Sequence, residues 1–369
     1  VLFRSPIKIY LFALLPISVF VSCNTMDSEA DTKEGNYSDK QVNVILLIGD
    51  GMGLSQVSSV YYFGDQPPSF SRFNEISLIN VSPVKLKITD SASGATAFAC
   101  GEKTYNGAIG VDADTNEIPN IFEILSVKGY KTGIISTSSV THATPACFYA
   151  HVEKRSMQCE IAEQIVDSDV DFFAGGGEGW FRNRKDGRDL YPELIHNGFT
   201  MDEPLENLTL SPEKKYGFLL AKKAMPTMLE DRGAFLSNYT NLALDYFTQS
   251  KSNFFLMIEG SQIDWAGHDN NSEYLIEEMK DFDETINVAL DYAEQYGNTL
   301  VIVTADHETG GFTLSTNDGD YGDIKPSFSN GGHSATLIPV FATGNGAENF
   351  KGVYENTDIF HKIIDVVSN

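Results

Sequence analysis

Four strand-like segments, each followed by a cluster of glycines, carboxylates or histidines, constrain this 369-residue chain more than any other feature. They occupy 42–48, 133–137, 254–258 and 299–303, and none shows the polar alternation of a half-solvated strand. Between them lie helical patterns. One runs over 118–129 and closes on a glycine; another runs over 271–297, with Leu275, Met279, Phe282, Ile286 and Leu290 recurring on one face. Buried strands alternating with helices predict an α/β fold, a mainly parallel central sheet with helices on both faces, built as a single large domain over 41–369. Hydrophobic residues make up 42% of the chain, enough to fill one core of that size.

Ligands of such sheets bind at the carboxyl ends of strands. Asp50 stands there in Gly49-Asp50-Gly51-Met52-Gly53, and His142 and Thr144 follow the strand at 133–137 in Thr-His-Ala-Thr-Pro-Ala. After 254–258 comes Glu259, then Asp264 and His268. These two are four residues apart, so one helical turn points both side chains the same way and lets them share a metal ion. After 299–303 come Asp306 and His307, an oxygen and a nitrogen donor side by side. Gly331 and Gly332 precede His333 and the apolar run 336–342, and glycines there let the backbone approach a crowded site. Four of the seven histidines and four acidic residues thus gather at one sheet edge, enough for two transition-metal centres and a harder, oxygen-bound cation.

Ile-Thr-Asp-Ser-Ala-Ser-Gly-Ala-Thr-Ala, from Ile88 to Ala97, brings a serine to this edge. Asp90 and Ser91 are good capping residues and the alanines behind them good helix formers, which predicts a helix starting within a residue or two of Ser91. Its hydroxyl would then face free backbone N–H groups, where the helix dipole favours an alkoxide, making Ser91 the candidate nucleophile. Arg155 carries a guanidinium fork that matches two phosphate oxygens.

The formal charge of −25 argues against a nucleic-acid surface, which needs clustered Lys and Arg. Small anions are still admitted where metals reverse the local sign. Residues 1–23 read as an export segment: Arg4 and Lys8 precede an apolar run too short for a comfortable membrane span. Ser22-Cys23 resembles a bacterial lipoprotein cleavage site, which implies a lipid on Cys23 and a periplasmic or membrane-anchored bacterial protein. Residues 24–40 are polar and aperiodic, as in a flexible linker. Cys100 is expected to be a buried small residue, and a Cys147–Cys159 disulfide stays open. The region 169–252 is expected to hold surface excursions and the wall that selects substrate.

Taken together, the blocks V-I-L-L-I-G-D-G-M-G, T-D-S-A-S-G-A-T-A, K-T-Y-N-G-A-I-G-V-D, T-H-A-T-P-A with Arg155 behind it, I-E-G-S-Q-I-D-W-A-G-H, V-T-A-D-H and G-G-H-S resemble, in order, the alkaline phosphatases. The resemblance covers 42–344. It implies hydrolysis of small phosphate monoesters through a phosphoserine on Ser91, with two zinc ions and one magnesium ion. By the same resemblance Asp264, His268 and His333 hold the first zinc, and Asp50, Asp306 and His307 the second, which Ser91 completes. Glu259, Thr144 and the other oxygen of Asp50 hold magnesium with His142 beside them; Arg155 clamps the phosphate, and a homodimer is implied. Trp265 stands where other members carry lysine or histidine. Indole offers no ligand lone pair, so a looser metal preference, with cobalt or manganese as substitutes, is expected. The alternatives are a phosphodiesterase of the same superfamily and a lipid-anchored metal or phosphate binder without turnover. A sulfatase is excluded, because Ser91-Ala92-Ser93-Gly94 lacks the x-Pro-x-Arg that must follow its nucleophile.

Overall fold

A computed structural model describes residues 41–202 and 210–368. The expected export segment and linker, with Cys23, lie outside the described residues. Among the described residues no helix is long and apolar enough to cross a membrane.

The strands in chain order are β1 (Asn43–Gly49), β2 (Glu75–Asn80), β3 (Lys131–Ser139), β4 (Phe172–Gly176), β5 (Phe199–Met201), β6 (Lys215–Ala221), β7 (Phe254–Gly260) and β8 (Thr299–Thr304). They continue as β9 (Glu308–Thr309), β10 (Thr313–Asn317), β11 (Asp320–Ser327), β12 (His333–Ser334), β13 (Ile338–Gly344) and β14 (Gly352–Glu355). Ten of them form one sheet in the order β14-β2-β13-β8-β1-β7-β3-β4-β6-β5. Only β13 runs against its neighbours, pairing antiparallel with both β8 and β2. The four strand-like segments read from the sequence are the contiguous centre, β8-β1-β7-β3, and every residue of β1, β7 and β8 is buried. β1 is flanked by β7 and β8 with parallel register on both sides, so the ends of these three strands open onto one crevice.

Helices cover the sheet as the periodicity predicts. The longest, Ser272–Tyr296, starts where the Asn271 side chain accepts the Tyr274 N–H, and it buries Leu275, Met279, Phe282, Ile286 and Leu290. Those five side chains contribute about 10 kcal/mol of gross burial at about 2 kcal/mol each. The helix expected within 118–129 is shorter, Ile121–Ser126, set by a capping box between Asn120 and Glu123.

One expectation is corrected, and a question left open is answered. The region 169–252 is no mere surface excursion: it supplies β4, β5, β6 and the helix Phe235–Ser250. Cys147 and Cys159 are both free, and buried Cys147 instead donates its S–H to the Ala92 carbonyl at 3.4 Å. Cys100 is buried as expected.

Candidate metal centre and nucleophile

The helix Ser91–Cys100 begins at the residue the capping pattern selects, and all ten of its residues are buried. Its small side chains let it lie against the chain beyond β8: a Cβ added at Gly94 would stand 3.0 Å from the Asp306 Cβ. The cap itself is Asp90, whose Oδ1 accepts the Ser93 and Gly107 N–H groups at 3.1 Å each. Asp90, one of the two capping residues the sequence offers, thus takes the Ser93 N–H. Ser91 Oγ lies instead 3.3 Å from His307 Nε2.

Three groups of ligand-type side chains meet around that hydroxyl. In the first, His268 Nε2 lies 3.2 Å from His333 Nε2, and the two are 3.4 and 3.5 Å from Asp264 Oδ1. In the second, His307 Nε2 is 3.4 Å from both Asp50 Oδ1 and Asp306 Oδ2. The third joins Asp50, His142 and Glu259. Register explains the meeting of Asp50 with Glu259, since Ile48 of β1 pairs with Glu259 of β7 and Asp50 follows two residues on. Short range explains Asp264 with His268, which share the helix Gln262–His268. His333 arrives by a different route: β12 pairs with β9, setting His333 opposite Thr309.

Both oxygens of Asp50, Asp306 Oδ2, Glu259 Oε1 and Thr144 Oγ1 are buried without a hydrogen-bond partner. Leaving so many polar atoms unmatched in one place costs several kcal/mol unless a cation completes them. The carboxylates carry that cost. Burial, followed by the charges of Asp306, Asp264 and Glu259, pushes Asp50 well above the carboxylate range. Burial likewise raises Asp306 and lifts Glu259 to about 7. This donor set, oxygen with imidazole in two groups and oxygen-rich in the third, fits divalent cations. Glu259 is further held by Ser136 and Ser138, whose hydroxyls donate to its Oε2 at 2.5 and 3.3 Å, while Oε1 is left without a hydrogen-bond partner.

The imidazoles are set as metal ligands require. His268 Nδ1 donates to the Gly331 carbonyl and His333 Nδ1 to the Thr89 carbonyl, both at 2.8 Å, which leaves each Nε2 lone pair facing the pocket. His307 Nδ1 faces Thr309 Oγ1 at 3.2 Å and frees Nε2 in the same way. Burial, then the neighbouring His333, drops His307 to about 3, so it stays neutral. His142 differs: its Nε2 accepts from Arg155 at 3.1 Å, so Nδ1 carries the ring proton and offers the third group an N–H rather than a lone pair. Burial and Arg155 keep it neutral too, at about 3.

Arg155 spans the mouth of the pocket. One terminal nitrogen donates to Asp90 Oδ2 at 3.1 Å, the other to His142, and each keeps a second N–H. Burial would raise Asp90, but Arg155 and the Ser93 and Gly107 N–H groups hold it below the usual range. The expected crowding at Gly331 and Gly332 is absent, since added Cβ atoms there would make only ordinary contacts of 3.4 and 3.8 Å. Crowding occurs at Gly51 instead, where a Cβ would lie 2.8 Å from Asp264 Cα. Sequence reasoning passed over Thr309, Ser136 and Glu308. Only the position of Thr309 two residues beyond His307 offered any signal.

A family profile described as alkaline phosphatase matches residues 41–324. The chain belongs to the alkaline phosphatase family. It is 36% identical over 333 residues to alkaline phosphatase 3 of Bacillus subtilis strain 168, covering 84% of this chain and 71% of that one. It is 29% identical over 405 residues to the alkaline phosphatase of Escherichia coli K12, covering 88% and 86%. The structure of the alkaline phosphatase from the Antarctic bacterium TAB5 superposes with a TM-score of 0.86 at 54% identity, over 89% of this chain and 99% of that one. A histidine-to-glutamate variant of the TAB5 enzyme holds magnesium in its M3 site. The alkaline phosphatase described here is thus a phosphoric monoester hydrolase whose candidate metal groups lie at the strand ends.

Proposed function

We propose that this alkaline phosphatase cleaves phosphate monoesters to an alcohol and inorganic phosphate through a phosphoserine on Ser91, with two zinc ions and one magnesium ion as cofactors. Asp264, His268 and His333 would hold the first zinc, and Asp50, Asp306 and His307 the second, with Ser91 at its edge. Glu259, Thr144 and Asp50 would hold magnesium, with the His142 N–H beside it. The observation carrying this reading is the convergence of unpartnered buried oxygens on the nucleophile hydroxyl. Bound there, the cations supply Lewis acidity that stabilises the serine alkoxide and the departing alkoxide.

The protein's own groups do the rest. Ser91 Oγ, fixed at the first turn of its helix, forms the new P–O bond as the ester P–O bond breaks. Water then cleaves the phosphoserine and restores the hydroxyl. Arg155 offers the second N–H of each terminal nitrogen to phosphoryl oxygens, and Asp90 aims it. Three divalent cations and Arg155, set against Asp50, Asp264, Asp306, Glu259, Asp90 and the alkoxide, leave about +1, enough to attract a phosphate dianion into an acidic protein. The Arg155 clamp favours a monoester over a diester, so p-nitrophenyl phosphate should be turned over far faster than its bis ester.

Trp265 stands edge-on to His142 at 6.0 Å between ring centres, and no ligand atom replaces it beside the third group. We place a looser metal preference there: chelated enzyme should regain equal activity with cobalt or with zinc plus magnesium, and strict zinc dependence would count against it. Export and lipid attachment at Cys23 follow from the N-terminal sequence. Leu54, Tyr61 and Tyr62, exposed on one side of the helix Leu54–Phe63, are the surface we propose for a homodimer. Trapping radiolabelled phosphate on the protein at low pH tests the central reading. Label on Ser91 that disappears in Ser91→Ala supports it, and a fully active Ser91→Ala would end it.

A further inference from the structure

Thr309 is fully buried where the segments carrying Asp50, Asp264, His307 and His333 meet. Its N–H donates to the Gly51 carbonyl next to Asp50 at 3.1 Å, its carbonyl accepts Gln56 Nε2 at 3.0 Å, and β12 sets it opposite His333. Its hydroxyl reaches two ligands at once. Oγ1 donates to Asp264 Oδ1 at 2.5 Å and faces His307 Nδ1 at 3.2 Å. One hydroxyl carries one proton. With that proton committed to Asp264, Oγ1 accepts from His307, and the chain reads His307 Nδ1–H to Thr309 Oγ1–H to Asp264.

We infer that Thr309 is a positioning residue that sets the first and second metal groups in one stroke, an inference that rests on the metal reading above. The hydrogen bond from His307 fixes the tautomer with Nε2 free toward Asp50 and Asp306. The hydrogen bond to Asp264 occupies one lone pair and leaves the rest of that carboxylate for the first group. Nor can the side chain turn away. A Cβ at Gly51 would stand 2.8 Å from its Oγ1 and one at Gly267 3.0 Å from its Cγ2, so neighbouring backbone walls in the rotamer on both sides. Partners of this kind, one layer behind the ligands, typically change metal affinity by about 10- to 100-fold when removed. Thr309 touches two ligand sets, so its loss weakens both.

The test uses the full chain, stripped of metal and titrated with zinc against a chromophoric chelator, in unaltered, Thr309→Val and Thr309→Ser forms. Valine keeps the shape and loses the hydroxyl, whereas serine keeps the hydroxyl. The expected result is zinc affinity lowered about 10-fold or more at both groups in Thr309→Val, with Thr309→Ser within about threefold of the unaltered protein. Cobalt-loaded protein should show a changed visible absorption band in Thr309→Val alone. Equal zinc affinities and spectra in Thr309→Val, or a serine variant as impaired as valine, would overturn the inference. Should Thr309→Val fail to fold, Thr309→Ala against Thr309→Ser makes the same comparison. Failure of the underlying reading looks different: the unaltered chain would take up no zinc, or Asp264→Asn and His307→Asn would leave its zinc stoichiometry unchanged.

Discussion

Gly51→Ala is the sharpest perturbation the pocket allows, because it adds one methyl group at the point where three ligand segments touch. Gly51 holds φ at +74°, where an L-residue costs roughly 1 kcal/mol. The added Cβ would stand 2.8 Å from Asp264 Cα and from Thr309 Oγ1, while ordinary contact begins at 3.4 Å, so something must yield by about 0.6 Å. Neither neighbour is the free end of a flexible side chain, and the Gly51 N–H also donates to Asp306 Oδ1 at 3.2 Å. Overpacking of this kind costs about 1–3 kcal/mol beyond the backbone strain. Catalytic groups misplaced by about 1 Å lose roughly 100-fold. The expected fall in kcat/KM is therefore about 100-fold, or about 2.7 kcal/mol of transition-state stabilisation. Gly129→Ala is the control: φ is +84°, but nothing lies within 4 Å of the added Cβ. It should lose only about 1 kcal/mol of stability and no activity. Thermal melts and p-nitrophenyl phosphate kinetics on both variants decide the matter. If Gly51→Ala melts like Gly129→Ala and keeps kcat/KM within about threefold, close approach at Gly51 does not hold the pocket, and the reasoning fails.

Arg155→Lys keeps the charge but loses the planar fork held between Asp90 and His142, and KM for p-nitrophenyl phosphate should rise about 10-fold. Ser136→Ala removes the shorter of two serine donors to Glu259 Oε2; calorimetric titration should show magnesium affinity down about 10-fold with zinc affinity unchanged. Glu259 is lifted to about 7 by burial, so protons compete for its oxygens below that pH. Magnesium binding to metal-stripped protein should therefore strengthen about fivefold from pH 6 to pH 7, gain about twofold more by pH 8 and flatten above, and a flat profile from pH 6 would refute the proton competition.

The centre of the sheet was legible because β1, β7 and β8 left apolar runs and β3 followed a helical pattern closed by a glycine, and the segments after the strands named Asp50, Asp264, His268, Asp306 and His307 through local spacing. The flank was not. β4 and β6 carry glycines and β5 has only three residues, so no run long enough to register appeared in 169–252. His333 was legible as a histidine among glycines, but its meeting with His268 depends on the pairing of β12 with β9, which no local pattern encodes. The Ser91 helix start was readable from its cap. The approach of its hydroxyl to His307 was not, because that depends on how the helix packs against the chain beyond β8. Thr309 was invisible for a related reason: its importance comes from what the fold packs against it.

Each of the three ligand groups draws on segments far apart in the chain: 50 with 306, 264 with 333, and 50 with 142 and 259. No hairpin or helix cut from this protein could retain a cation by itself, so loading must follow assembly of the sheet rather than guide it. Metal uptake is therefore a certificate of a finished fold. A single cleavage in a surface loop that loosens one strand end would surface first as leakage of ions, before any spectroscopic sign of unfolding.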